Sequence, residues 1–214
     1  MSPDSGPHAL LRIDGAQALT GVAPLPRWAQ VQLARTPWVV VRRAAASAAV
    51  LPVGIRGAVR GERLAAWLPR AAVREAVTPQ QLAARAGWRA HPRAGAVAAL
   101  AALEAVARLM AAAALAWGPT GSVGFELATG AATAHAASDL DLILSAPSLL
   151  SRPAARELYA ALARLPVRCD VQLDTPRGGL ALAEYVNSGG PFLLRTAHGP
   201  LRSADPWRQC EAAG

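Results

Sequence analysis

The chain has 214 residues, enough for one large domain or two small ones, and its 53% hydrophobic and 17% charged residues exclude a disordered chain. Cys169 and Cys210 are the only cysteines and show no CxxC spacing, which excludes a zinc ribbon or a disulfide scaffold. The net charge of +8 is carried entirely by arginine and is uneven: residues 1–100 hold 13 Arg against four acids, while residues 101–214 hold nine Arg against ten acids. One half therefore suits a polyanion, and the other holds nearly all the carboxylates.

The N-terminus, MSPDSGPHALLRIDG, has no basic segment followed by an apolar run, so no signal peptide is expected. Leu10 to Ile13 reads as a short strand, and residues 20–37, rich in Pro and Gly, as irregular chain. Pro37 to Val41 is an expected buried strand, and Ala48 to Ile55 a second one, with Pro52 marking an edge or a bulge. Arg56 to Gly61 is an expected turn or hairpin, and Arg63 to Leu68 the start of a helix. Thr78-Pro79-Gln80-Gln81 carries a helix-start signature: Thr78 as N-cap, Pro79 at the first helical position and Gln81 closing a capping box. That helix is expected to end near Ala86, and residues 90–95 form a candidate linker where the charge balance changes sign. The expected organisation is a basic N-terminal domain over 1–92 and a second domain over 93–214.

In the second half, Ala96 to Trp117 reads as a long helix, stopped by Gly118-Pro119 and interrupted by Glu104 and Arg108, as suits a helix outside a membrane. Gly121-Ser122-Val123-Gly124 is then an expected turn. Ser138 to Leu144 (SDLDLIL) reads as a strand, Pro153 to Leu165 as a helix capped by Ser151 or Arg152, and Val167 to Leu173 (VRCDVQL) as another strand. Gly179 to Asn187 is an expected short helix and Pro191 to Thr196 a last strand. The alternation of helix and strand indicates an α/β or α+β architecture.

Side chains two apart on a strand share a face, so Asp139 and Asp141 project together while Leu140 and Leu142 enter the core. Adjacent carboxylates repel unless a cation lies between them, and hard oxygen ligands suit Mg²⁺ or Mn²⁺. Asp170, on a second strand, adds a third carboxylate if the two strands pair. Three carboxylates can hold two ions roughly 4 Å apart and clamp both oxygens of a phosphoryl transfer. The glycines and hydroxyl of Gly121-Ser122 offer close backbone N–H donors to phosphate. Arg42, Arg43, Arg56, Arg60 and Arg63 cluster near two strands of the basic half, and as a group they favour anion binding. Asp174 and Arg177 are weaker candidates, Cys169 reads as a small apolar residue, and His135 and His198 as ordinary loop histidines.

The order of helix, Gly-Ser turn, strand with Asp139 and Asp141, helix, strand with Asp170 resembles the nucleotidyltransferase superfamily of the DNA polymerase beta type. Sixteen residues separate Ser122 from Asp139, so an inserted loop is expected at 128–137. The runs GSVGFELATGAATAHAASDLDLIL, RCDVQLDTPRGGLALAEY and GPFLLRTAHGPL, with PWVVVRR and LPVGIRGAVRGERLAAWL before them, are similar to the malonate decarboxylase holo-acyl-carrier-protein synthase family, also called phosphoribosyl-dephospho-CoA transferase. The resemblance covers residues 8–207.

The resemblance implies an α/β (α+β) fold: a polymerase beta-like domain with a mixed sheet, preceded by a smaller basic α+β domain. It implies triphosphoribosyl-dephospho-CoA as donor, a serine of the apo acyl-carrier subunit of malonate decarboxylase as acceptor, and pyrophosphate as leaving group. By motif position, Asp139, Asp141 and Asp170 would be the catalytic and metal-binding residues, with Mg²⁺ or Mn²⁺, and Asp170 would help the acceptor hydroxyl lose its proton. Gly121, Ser122, Arg42, Arg43, Arg56 and Arg60 would meet the phosphates. A cytoplasmic enzyme with no membrane partner is expected. Two rivals remain: another metal-dependent nucleotidyltransferase, acting for example by adenylyl transfer to protein, RNA or a small molecule, and a non-catalytic basic nucleic-acid-binding module. The second is disfavoured because few aromatics lie near the arginines.

Overall fold

The computed structural model of the protein describes residues 6–21, 24–59 and 61–208. Its first sheet is built from β1 (Leu10–Arg12), β2 (Trp38–Val41), β3 (Val50–Arg56), β4 (Arg63–Pro69) and β5 (Glu75–Val77), in the order β4-β3-β2-β1-β5 with every pairing antiparallel. One face of this sheet (Leu11, Val39, Val41, Val53, Ile55, Leu68) closes a core against α1 (Arg27–Arg35), whose Ala29 and Leu33 are one helical turn apart.

Three expectations fail in this half. Residues 20–37 are not irregular throughout, because Arg27-Trp-Ala-Gln-Val-Gln-Leu-Ala-Arg forms α1 behind Pro26. The segment Arg63–Leu68 is a strand, not the start of a helix. Its good helix formers are overruled by a seven-residue register with β3, which buries Ala66 and Leu68. Pro52 sits in an interior strand, neither at an edge nor in a bulge. Its carbonyl accepts from Arg42 N at 2.9 Å at the point where β2 runs out, so the missing N–H breaks no continuing ladder.

The capping box before α2 (Pro79–Arg85) is present in full: Gln81 N donates to Thr78 Oγ1 at 3.1 Å, and Thr78 N to Gln81 Oε1 at 2.9 Å. Ala86 closes the helix in a left-handed conformation, φ 49°. The candidate linker is pinned, because Arg93 forms an ion pair with buried Glu126 at 2.8 Å.

Next come α3 (Ala98–Ala112), β6 (Trp117–Pro119), α4 (Gly121–Thr129), β7 (Leu140–Ser145), α5 (Arg152–Leu162), β8 (Cys169–Thr175), β9 (Gly178–Ala181), α6 (Leu182–Asn187), β10 (Phe192–Thr196) and β11 (Gly199–Ser203). They form a six-stranded mixed sheet, β11-β10-β9-β8-β7-β6, in which β7 and β8 are parallel and the other pairings antiparallel. The helix after residue 96 stops at Ala112, five residues short of the expected Trp117, because Trp117–Pro119 pairs with Leu142–Leu144. Gly178 to Ala181 is a strand and not the start of a helix, and β11 is a further strand that the alternation did not reveal. Ser151 Oγ caps α5 as expected.

Leu140, Leu142 and Leu144 of β7 and Leu173 of β8 are fully buried beneath α3 and α5. Each such burial stabilises by about 2 kcal/mol, and the alternation forces the intervening residues, Asp141 among them, onto the other face. That face looks towards the second face of the first sheet. There Leu10, Trp38, Val77, Leu82 and Phe125 form a small core joining the two halves. A side chain at Gly118 of β6 would overlap the backbone of Pro79, so α2 lies directly on the mixed sheet. Among the described residues no helix is long and apolar enough to cross a membrane.

Candidate active site

The carboxylates stand at the starts of the two parallel strands. Asp141 and Asp170 are direct partners in the β7/β8 register, and Asp139 lies two residues before Asp141, just ahead of β7. Pairing of the two strands, the condition on which the three-carboxylate reading depended, is met. Asp141 is half-buried, whereas Asp139 and Asp170 are exposed. Burial holds the Asp141 carboxyl above the ordinary carboxylate range, and the negative charges of Asp170 and Asp139 push the same way, opposed by Arg56 and Arg63. Cys169 is no nucleophile at neutral pH: burial, with Asp139 nearby, pushes its thiol up to about 11.

Gly121-Ser122 opens α4 instead of lying in a free turn. Gly121 takes φ +59°, and a Cβ there would overlap the Asp141 carboxylate, so the backbone passes directly against that side chain. The Thr120 amide donates to the Asp141 carbonyl at 2.8 Å and fixes the start of the helix to the strand. No side chain caps this helix, so its first N–H groups face the carboxylate end of the cleft without an internal acceptor. Ser122 is buried.

The arginine cluster divides. Arg56 ends β3 on the face turned to the mixed sheet, its cross-strand partner is Arg63, and both feel Asp141. Burial is the main cause lowering the Arg56 pKa, followed by repulsion from Arg63, and Asp141 opposes them. Arg42 has its backbone opposite Pro52 and lies on the same face, with its side chain over Gly54, two residues along β3 from Arg56. Arg43 is turned to Asp174, which its Nη2 meets at 2.6 Å across the two halves. Arg60 lies outside the described residues. Asp174 shares a face with Asp170, as expected, and is occupied as the partner of Arg43.

The expected insertion at 128–137 is displaced by two residues, because α4 runs to Thr129 and β7 starts at Leu140, so the loop occupies 130–139. It is fastened by a side chain that spacing could not reveal. Glu126 of α4, 1% exposed, accepts from Thr133 N at 2.9 Å, Ala134 N at 2.8 Å and Arg93 Nη1 at 2.8 Å. Thr133 Oγ1 donates to the Ser122 carbonyl at 2.8 Å, so the loop leading into Asp139 is stitched to the Gly121-Ser122 turn. Glu126 lay in plain view within GFELAT, but nothing in the sequence marked it as buried or paired it with Arg93, 33 residues away.

Three carboxylates are a hard-oxygen donor set of the kind that takes Mg²⁺ or Mn²⁺, and a half-buried acid pressed by two others is short of positive charge. In kind and in backbone placement the residues fit such an ion. Among the described residues, however, no three His, Cys, Asp or Glu side chains form a ready-made metal cluster, so the strands align the acids without closing them together. Beyond Asp170, β9 pairs only with Gln172–Thr175, which leaves the first edge of β8 unpaired. A groove of about 550 Å³ opens there, lined by Tyr159, Leu162, Val167, Asp170 and Leu182.

Comparison with known proteins gives a consistent result. The family model described as the phosphoribosyl-dephospho-CoA transferase MdcG C-terminal domain matches residues 65–206, and that of the corresponding N-terminal domain matches residues 6–79. Curated proteins named phosphoribosyl-dephospho-CoA transferase are similar over most of their length. One from Pseudomonas putida (strain W619) is 45% identical over 88% of this chain and 89% of its own. One from Azotobacter vinelandii (strain DJ / ATCC BAA-1303) is 42% identical over 96% of each, and one from Klebsiella pneumoniae (strain 342) is 40% identical over 99% and 100%. No solved structure gives a significant match.

Proposed function

The chain belongs to the phosphoribosyl-dephospho-CoA transferase family, and from that membership we propose that it attaches the group derived from triphosphoribosyl-dephospho-CoA to a serine of an apo acyl-carrier protein, the acyl-carrier subunit of malonate decarboxylase. In this reaction the serine Oγ bonds to the phosphorus nearest the ribose. The bond from that phosphorus to the next phosphate breaks, and pyrophosphate leaves. The product is a phosphodiester, and the serine proton passes to Asp170, which stands beside the open groove. A divalent ion, Mg²⁺ or Mn²⁺, held by Asp139, Asp141 and Asp170 would neutralise phosphate charge and lower the pKa of the attacking hydroxyl.

This chain's own groups do the rest. The uncapped first turn of α4, starting at Gly121 and Ser122, receives phosphate oxygens on its N–H groups. Arg56 and Arg63 face the carboxylates from the other sheet and hold the phosphates of the donor. Residues 1–92 supply the cations and residues 93–214 the carboxylates of one cleft. This reading places the protein in the cytoplasm.

The observation that carries this reading is the in-register pairing of Asp141 with Asp170 opposite Arg56. It is tested by incubating the apo carrier protein and a divalent ion with triphosphoribosyl-dephospho-CoA or, separately, with ATP, and weighing the carrier. The expected result is a mass gain of one phosphoribosyl-dephospho-CoA with the first donor alone, reduced about a thousandfold in rate by Asp139→Asn or Asp141→Asn. Full transfer by both variants would remove the site assignment, and adenylylation from ATP would favour the rival nucleotidyltransferase reading.

A further inference from the structure

The cleft between the sheets has a second charged end. Strands β3 and β8 run along it in opposite senses: β3 goes from Leu51 and Pro52 to Arg56, and β8 from Asp170 to Thr175. Arg56 lies by the carboxylates, whereas Pro52 and Thr175 line a separate cavity of about 430 Å³. The five residue steps of β8 from Asp170 to Thr175 put this cavity about 16 Å from the Asp141–Asp170 pair.

Its walls carry Arg42, Arg43, Arg70, Arg177 and His198, contributed by both sheets, and among the described residues no acid lines it. Arg43 is held by Asp174 at 2.6 Å, and its Nε is buried without a hydrogen-bond partner. Arg177 is steadied by Ser203 Oγ, which its Nη1 meets at 2.5 Å, and by the Asp205 carbonyl at 3.0 Å. Arg42 is exposed, and Arg70 makes only a 3.5 Å contact to the Ser47 carbonyl. So many guanidinium groups around one cavity, some fixed and some free, form a receptor for a multiply charged phosphate group.

We propose that this cavity is a second phosphate subsite and that it binds the diphosphate linking the adenosine and pantetheine parts of a dephospho-CoA compound. The inference rests on the donor proposed above. That donor carries two anionic clusters separated by two linked pentoses: a triphosphate, which the carboxylate end would take with a divalent ion, and this diphosphate. The cleft offers two matching ends along one line. It also reassigns Arg42 and Arg43 from the triphosphate to the far arm of the donor, which makes them determinants of which nucleotide is accepted.

Titration calorimetry of the full chain with two probes tests the proposal: dephospho-CoA, and inorganic tripolyphosphate with Mg²⁺. Arg42→Gln and Arg70→Gln should each weaken dephospho-CoA by about tenfold and leave tripolyphosphate binding unchanged, which also shows that the variants are folded. Asp141→Asn should do the reverse. If wild-type protein binds dephospho-CoA and the two arginine variants keep its full affinity, or lose both probes equally, the subsite is overturned while the transferase reading stands. If wild-type protein binds neither probe, both fall.

Discussion

The two sheets bring opposite charges to one cleft, and they do so with different degrees of specification. The mixed sheet places Asp141 opposite Asp170 through a parallel register enforced by the leucines on its buried face, so a shift of one residue would put carboxylates in the core. The antiparallel sheet places Arg56 and Arg63 at the mouth of a hairpin and Arg42 at the end of a strand, where long flexible side chains need no such register. Geometry that must be accurate is built on the strands of the mixed sheet, and charge that need only be nearby is built at the ends of the other.

Several substitutions would sharpen or break that contrast. The largest effect is expected at the device that holds the rigid side together. Glu126→Ala leaves Arg93 and two loop amides without their acceptor and should cost about 3 kcal/mol in chemical denaturation; a loss under about 1 kcal/mol would show that the loop before Asp139 is held by other means. Gly121→Ala combines a left-handed backbone with an overlap on Asp141, and its transfer rate should fall about a hundredfold with little change in overall fold by circular dichroism. On the looser side, Arg56→Gln should raise KM for the donor about tenfold and change kcat less. An effect as large as that of Gly121→Ala would erase the distinction between the sheets.

The smallest expected effect concerns Asp141 without metal. Its raised pKa means that the stability it contributes is full below the ordinary aspartate range and lost as pH rises through the raised value. At neutral pH the ionised carboxylate therefore weighs against folding, and Asp141→Asn should raise Tm by roughly 2 °C at pH 7, an increment that vanishes below about pH 4. Adding Mg²⁺ should stabilise the wild type more than this variant, and equal stabilisation would argue against Asp141 as a ligand.

How much of this was legible in the sequence follows the same division. The Asp139-Leu140-Asp141 alternation, the second strand with Asp170 and the Thr78 capping box are local signals, and each is present in the folded chain. The arginines carried no comparable pattern. Their sorting into Arg56 near Asp141, Arg43 on Asp174 and Arg42 beside the far cavity depends on contacts between residues up to 131 positions apart. Three of the misread strands share one cause: Arg63–Pro69, Trp117–Pro119 and Gly178–Ala181 have no clear strand alternation of their own and become strands because a neighbouring strand offers them hydrogen bonds.

The absence of a side chain at residue 118 has a wider consequence. Because Pro79 rests on that bare backbone, even a methyl group there would wedge apart the walls that carry the acids and the arginines, without altering any group that meets a ligand. The aperture of the enzyme is thus set at a position paired with Ile143, two residues along β7 from Asp141, that carries no reactive group of its own, and the size of molecule it admits could be changed there while every reactive group stayed in place.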